Sequence, residues 1–465
     1  MTKQLFFLFL VISAQVFGQG YKIDVTLPLA ANKKASLAYH YLGKVYIQDT
    51  TWLDANGTGT WQGDTALTQG LYKVFIDKDN HFDFLLGADQ QFSLKNKSFK
   101  STDMQISGAA ETEDFVKYLV FFEELKAQSA ALNKQYQELS NDNEKKGIRH
   151  KQEKLNDELH NYWEKTSKKM PDSFLSKFMK ANYVPALDIS TLPDEIQKND
   201  SLLLKARFVY QHQHYWDNFD YTDERLLYTP FYKNKLETWF TKVLYPDYDS
   251  VKTYVYKFLE DVKPNKRIFQ FATSYFLNSS INSKIMGMDA LFVDLANDFY
   301  FTGDAFWANE ESLEKIRENV LFKKDNLIGK MAPNLTLESF DGEFYNLHQI
   351  ESDLTILLIY EPNCSHCKVF VPEFYKEVYL PCKDKGLQVF AIYSMDDKEE
   401  WSTFLTKHNL FDWINVWDEN HTSRFKILYD ARQTPGVFVL DKDKKIIAKN
   451  LTVEQLRKIV EDKLN

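Results

Sequence analysis

The spacing of apolar residues changes twice along this chain, and a chain whose hydrophobic period changes cannot be built from one repeating element. Apolar and polar positions alternate through residues 21–27, 35–41, 70–76, 82–86 and 91–94. Period two puts every second side chain on one face, the pattern of half-buried strands. Asn56-Gly57, Asp79-Asn80 and Gly87-Ala88-Asp89 supply turn residues between the runs. Residues 19–108 are therefore predicted to form an antiparallel β-sandwich with hairpin connections.

Beyond Glu111 the spacing lengthens to three and four, as in Phe115, Leu119, Phe122 and Leu125, which predicts an all-α region over residues 109–325. Pro171, Pro185, Pro193, Pro230, Pro246 and Pro264 divide it into several helices, because proline keeps its predecessor out of helical geometry. Residues 135–158, polar and of mixed charge, read as one long solvated helix. From Asn326 onward, apolar runs at 354–360, 389–393 and 437–440 alternate with amphipathic segments, and 453–464 reads as a closing helix. Strands apolar on both faces with helices between them predict an α/β domain over residues 326–465 with parallel strand pairs. The expected architecture is thus multidomain, in three parts.

Lys3, an apolar run at 5–12 and the exit Ser13-Ala14-Gln15-Val16-Phe17-Gly18 have the layout of a secretory signal peptide over residues 1–18. This predicts export across the inner membrane to the periplasm or cell envelope. The run is shorter than the roughly 20 residues that span a bilayer, so no transmembrane segment is expected. With 57 Lys+Arg against 66 Asp+Glu the net charge is −9. No dense basic run exists to neutralise a phosphate backbone, which argues against nucleic acid as a partner.

The chemistry concentrates at Glu361-Pro362-Asn363-Cys364-Ser365-His366-Cys367-Lys368, which follows the apolar run at 354–360 and precedes a helical segment. A cysteine at a strand exit and helix start has its sulfur beside unpaired amides and the positive end of the helix dipole, and both stabilise a thiolate. Cys364 is the candidate nucleophile and Cys367 the thiol that resolves a mixed disulfide. Ser365, His366 and Lys368 are candidate tuning residues, since a protonated His366 and Lys368 favour the Cys364 thiolate. Two other readings stay open: a zinc site from Cys364, Cys367, Cys382 and one histidine, and a purely structural disulfide. Zinc ribbons usually carry two CxxC knuckles and this chain has one, so neither a metal nor an organic cofactor is expected. Cys382 reads as buried and inert. His212 and His214 would share a face of a strand but not of a helix, and the Tyr215, Trp216, Phe219 and Tyr221 cluster reads as core packing.

The run from Gly329-Lys330-Met331-Ala332-Pro333 through Leu335-Thr336-Leu337 and Asp341-Gly342, then Cys364-Ser365-His366-Cys367 and Pro372, resembles the thioredoxin-like fold of the TlpA/ResA type within the redoxin superfamily. Thr434-Pro435 looks like that family's cis-proline loop. The resemblance implies that Thr434 and Pro435 bind substrate backbone, that the substrates are protein disulfides or dithiols, and that a membrane electron donor or acceptor serves the site. A β domain, a helical domain and this C-terminal fold together are similar to multidomain envelope proteins of Gram-negative bacteria. The expected activity is a thiol-disulfide oxidoreductase of the cell envelope acting through its CxxC pair. Leu358 stands where thioredoxins bury an acid, leaving Glu361 as the nearby candidate base. The Ser-His pair between the cysteines leaves the direction of electron flow open. The alternatives are a thiol peroxidase of the peroxiredoxin type, for which Glu361 replaces the needed threonine, and a binding or scaffold protein with a non-catalytic thioredoxin fold.

Overall fold

The computed structural model describes residues 20–464. The expected signal peptide, residues 1–18, lies outside the described residues. The chain divides into two compact units, one ending at Leu244 and the other starting at Tyr245, and helices of the central stretch belong to each. Among the described residues no helix is long and apolar enough to cross a membrane.

The first unit opens with strands β1 (Tyr21–Thr26), β2 (Lys34–Tyr41), β3 (Lys44–Trp52), β4 (Thr58–Gly63), β5 (Gly70–Phe75), β6 (His81–Leu86), β7 (Gln91–Lys95) and β8 (Gln105–Ser107). They form two four-stranded sheets, ordered β4-β1-β7-β8 and β3-β2-β5-β6. Alternation places Ile23, Val25, Leu37, Val74 and Leu94 fully inside. Trp61 of β4 donates its indole N–H to the Ala35 carbonyl of β2 at 3.2 Å, joining one sheet to the other. The sandwich is not wholly antiparallel, because β1 pairs parallel to β7. Turn residues specify consecutive strands only, and a pair separated by many residues is free to run either way. Strand β3 gave no period-two signal because it has no buried face: Val45, Ile47 and Trp52 are 47%, 65% and 72% exposed.

Helices α1 (Ala110–Glu138), α2 (Asp142–Lys169), α3 (Phe174–Lys180), α4 (Asp194–Gln197), α5 (Asp200–His214) and α6 (Phe231–Thr238) complete this unit. Residues 135–158 are not one helix. Asn141 interrupts them as the cap of α2, its side chain accepting from the Asn143 amide at 2.8 Å, since asparagine satisfies the orphan donors of a helix start. His212 and His214 both lie on α5, so their rings point to different faces. Tyr215 and Phe219 are buried, as the core reading requires, while Trp216 and Tyr221 of the same cluster are half-buried.

Lys235 of α6 is buried among those rings, its ammonium 5.0 Å from the Tyr215 centroid and 5.2 Å from that of Phe219, and it donates to the Ala181 carbonyl at 3.1 Å. Burial pushes its pKa down from 10.5 to about 8. The unfolded chain then binds the extra proton between those values, so stability rises with pH across that window and the burial cost is complete below pH 8. At about 1.4 kcal/mol per tenfold, the drop corresponds to about 3 kcal/mol. Lys235→Met is expected to stabilise the first unit at pH 7 by about 2 kcal/mol once the orphaned Ala181 carbonyl is counted. Urea melts at pH 7 and pH 10 check this, and destabilisation at pH 7 would contradict it.

The second unit begins with helices α7 (Tyr248–Val262), α8 (Lys266–Ile281), α9 (Met288–Leu295) and α10 (Glu310–Lys323). There follow β9 (Thr336–Ser339), β10 (Phe344–Asn346), β11 (Leu354–Tyr360), α11 (Ser365–Phe374), α12 (Leu380–Cys382), β12 (Leu387–Tyr393), α13 (Lys398–His408), β13 (Ile414–Trp417), α14 (Phe425–Leu428), β14 (Gly436–Asp441), β15 (Ile446–Lys449) and α15 (Val453–Leu464). Seven strands form one sheet, ordered β10-β9-β13-β12-β11-β14-β15. The β11–β12 and β12–β13 pairs are parallel, as the apolar runs predict, and β14 lies antiparallel to β11. Every residue of β11 is buried: Ile356, Leu358 and Tyr360 face a core with Val371, Phe374 and Leu456, while Leu357 and Ile359 face Phe390, Phe438 and Leu440. At the sheet edge the buried ammonium of Lys449 pairs with Asp289 of α9 and donates to the Asn326 carbonyl and side-chain oxygen at 2.8 and 2.9 Å.

Candidate active site

Strand β11 delivers the chain into a tight turn. Buried Pro362 keeps Glu361 out of helical geometry, and the Cys364 amide donates back to the Glu361 carbonyl at 3.2 Å. Cys364 occupies the N-cap of α11 with φ −66° and ψ 126°, and its side chain makes no capping hydrogen bond. The Lys368 amide donates to the Cys364 carbonyl at 3.1 Å, closing the first helical turn. Burial pushes the Cys364 thiol up, but the Thr434 side chain and the amides of Cys367 and His366 outweigh it and bring the pKa from 9.0 to about 7. The sulfur also lies 3.3 Å from the Thr434 carbonyl, an acceptor that suits the protonated thiol, whereas the amides suit the anion.

Cys367, one turn into the helix, is fully buried. Burial raises its thiol to about 11, the Glu361 amide and the Thr434 side chain offset only part of that, and the neighbouring Cys364 adds to it. Leu358 belongs to the same core as Cys367. The Glu361 carboxyl accepts from the Ser394 hydroxyl at 3.3 Å, so it is the main chain of Glu361 that favours the Cys367 thiolate. Cys364, Cys367 and Cys382 are all free thiols. Cys382 is buried in the core that contains Cys367, and burial raises its pKa.

The Thr434–Pro435 peptide bond is cis. Thr434, Pro435, Ser365 and His366 line one cleft of about 1250 Å³; Cys364 stands at its edge, in contact with Thr434. Lys368 is exposed and does not line it. Sequence reasoning missed the rest of the lining, formed by Ile281 at the end of α8, by Asn319 and Lys323 on α10 and by residues 449–454. It also missed Glu400 of α13, whose carboxylate accepts from Asn363, the residue before Cys364, and from the Tyr393 hydroxyl at 3.1 Å. Neither group has a local motif; only the i, i+4 spacing of Asn319 and Lys323 hinted that they share a face. Among the described residues no group of three or more His, Cys, Asp or Glu side chains is placed to hold a metal ion.

A thiol at a helix start, a buried partner one turn on and a cis-proline loop beside them are the features of a thioredoxin-like domain. Residues 328–449 match the AhpC/TSA family, and the C-terminal region is a redoxin domain of that family. Among solved structures, the chain is similar to a domain of a possible thiol-disulfide isomerase from Cytophaga hutchinsonii, with 36% identity over 29% of this chain and 92% of that one and a TM-score of 0.28. A thioredoxin-like protein from Bacteroides caccae shares 20% identity over 60% of this chain and 98% of its own, with a TM-score of 0.45. The thioredoxin domain of a thiol-disulfide oxidoreductase from Bacteroides vulgatus shares 23% identity over 30% of this chain and 98% of its own, with a TM-score of 0.28. No curated protein matches the chain.

Proposed function

We propose that this chain is a thiol-disulfide oxidoreductase of the cell envelope that acts on protein disulfides. The observation that carries the reading is the placement of two thiols one helical turn apart, Cys364 at the helix start against Thr434 and Cys367 fully buried in the core, which lowers the first thiol and raises the second. The Cys364 thiolate attacks a client disulfide; a new S–S bond joins it to one client sulfur, and the other leaves as a thiolate that takes a proton. Cys367 then gives up its proton and attacks the Cys364 sulfur, which releases the second client thiol. The client gains two electrons and the CxxC pair becomes a disulfide, to be reduced again by a dithiol donor at the membrane. Thr434 and Pro435 hold the client backbone beside Cys364.

The attacking role given to Cys364 is that of the reducing direction, for which thioredoxin, at about −270 mV, is the reference, against about −120 mV for strong periplasmic oxidases. Equilibration of the full chain with a dithiothreitol series is expected to give one reversible two-electron couple below about −230 mV. A couple above about −180 mV reverses the direction, and no reversible couple removes the activity from this site.

A further inference from the structure

The cleft beside Cys364 is lined by three parts of the sequence: α11 with the cis-proline loop as a first wall, Ile281, Asn319 and Lys323 of α8 and α10 as a second, and residues 449–454, from the end of β15 into α15, as a third. The second wall is fastened to the first. Asp430 accepts from Lys323 at 3.1 Å and from the Arg432 Nε and Nη2 at 2.5 and 3.0 Å. Arg432 also donates to the Asn319 side-chain oxygen at 3.0 Å and stacks 4.2 Å over Phe322 of α10. The Asn326 amide group donates to the Leu428 carbonyl at 2.9 Å. Arg432 is two residues from Thr434, so the clamp that holds α10 also holds the loop that touches the Cys364 sulfur.

Such a clamp fixes the width of the cleft. Its volume of about 1250 Å³ exceeds the 300–1,000 Å³ of ordinary small-molecule sites. An isolated redox pair open to solvent accepts a small disulfide and a polypeptide disulfide alike, whereas a trough with a fixed far wall rewards an occupant that fills it. Resting on the oxidoreductase reading, we propose that the α8–α10 wall is a specificity element that selects a disulfide carried on an extended polypeptide segment over a small-molecule disulfide. Asn319, bonded to Arg432, and Ile281 extend the client's contact surface beyond Thr434, and contact along that surface keeps the client sulfur in line with Cys364.

The test uses the reduced full-length protein with insulin and oxidised glutathione as the two disulfides. Ile281→Trp and Ile281→Phe narrow the trough to different extents without touching the Arg432 clamp, and circular dichroism melts establish that each is folded. The expected result is a fall of about tenfold or more in the ratio of kcat/KM for insulin to kcat/KM for oxidised glutathione. Should one variant not fold, the ratio in the other decides. An unchanged ratio in a folded variant overturns the wall as a selector and leaves the redox reading standing. A wild-type chain that reduces neither disulfide overturns the redox reading, and this inference with it.

Discussion

In a Cys367→Ser variant the reaction is expected to stop at the mixed disulfide. Cys364 keeps its helix-start amides and remains a thiolate near neutral pH, so it still attacks and captures the client. No second sulfur remains beneath it to displace the client, and the covalent complex accumulates. Turnover on insulin falls by roughly a thousandfold or more, the behaviour of a covalent mechanism that has lost its second nucleophile. Cys364→Ser gives the same loss of turnover with no adduct, because Cys367 is fully buried and its thiol sits at about 11. Non-reducing electrophoresis and mass spectrometry of the two variants separate these outcomes. An adduct on Cys367 in the Cys364→Ser protein would exchange the assigned roles.

The second large effect is in the pH dependence of alkylation. With Cys364 at about 7 and Cys367 at about 11, the thiolate fractions at pH 7 are about one half and about one in ten thousand. Iodoacetamide should therefore modify Cys364 at least a thousandfold faster at pH 7, with a midpoint near 7 in its rate profile. A shared midpoint near 9 for both thiols would end the argument from helix-start amides. The same shift has a sign for folding. A thiol whose folded value lies below its unfolded value adds stability to the reduced chain that is complete above pH 9 and is lost as pH falls through about 7.

Some of this was legible from residue order alone. A seven-residue run at 354–360, apolar but for Thr355, reads as a strand covered on both faces, and β11 is one. The strand-turn-helix context around Cys364 came with it, since helix-start chemistry is local. Non-local pairing was not legible: the β1–β7 partnership is parallel, and no turn between consecutive strands encodes it. Strand β3 was invisible because hydrophobic alternation reports burial, and Val45 and Ile47 are exposed. The break at Asn141 was readable in principle, as an N-cap residue inside a charged run, but mixed charge masked it. The wall of Ile281, Asn319 and Lys323 had no motif, because a specificity surface needs only shape and placement, and both arise from the tertiary fold.

The ion pair between Lys449 and Asp289 sets a rule for recombination. Lys449 ends strand β15 in the seven-stranded sheet, while Asp289 lies on a helix upstream of it. A chimera joined at residue 326, where the sequence pattern changes, would give that sheet a foreign helical partner with no guaranteed anion opposite the lysine. A buried cation left without its counter-charge costs about 3–5 kcal/mol, a large part of the stability of a domain. Exchangeable pieces of this chain therefore meet near Tyr245, and any lineage that shuffles its redox domain must move α7 to α10 with it or change positions 289 and 449 together.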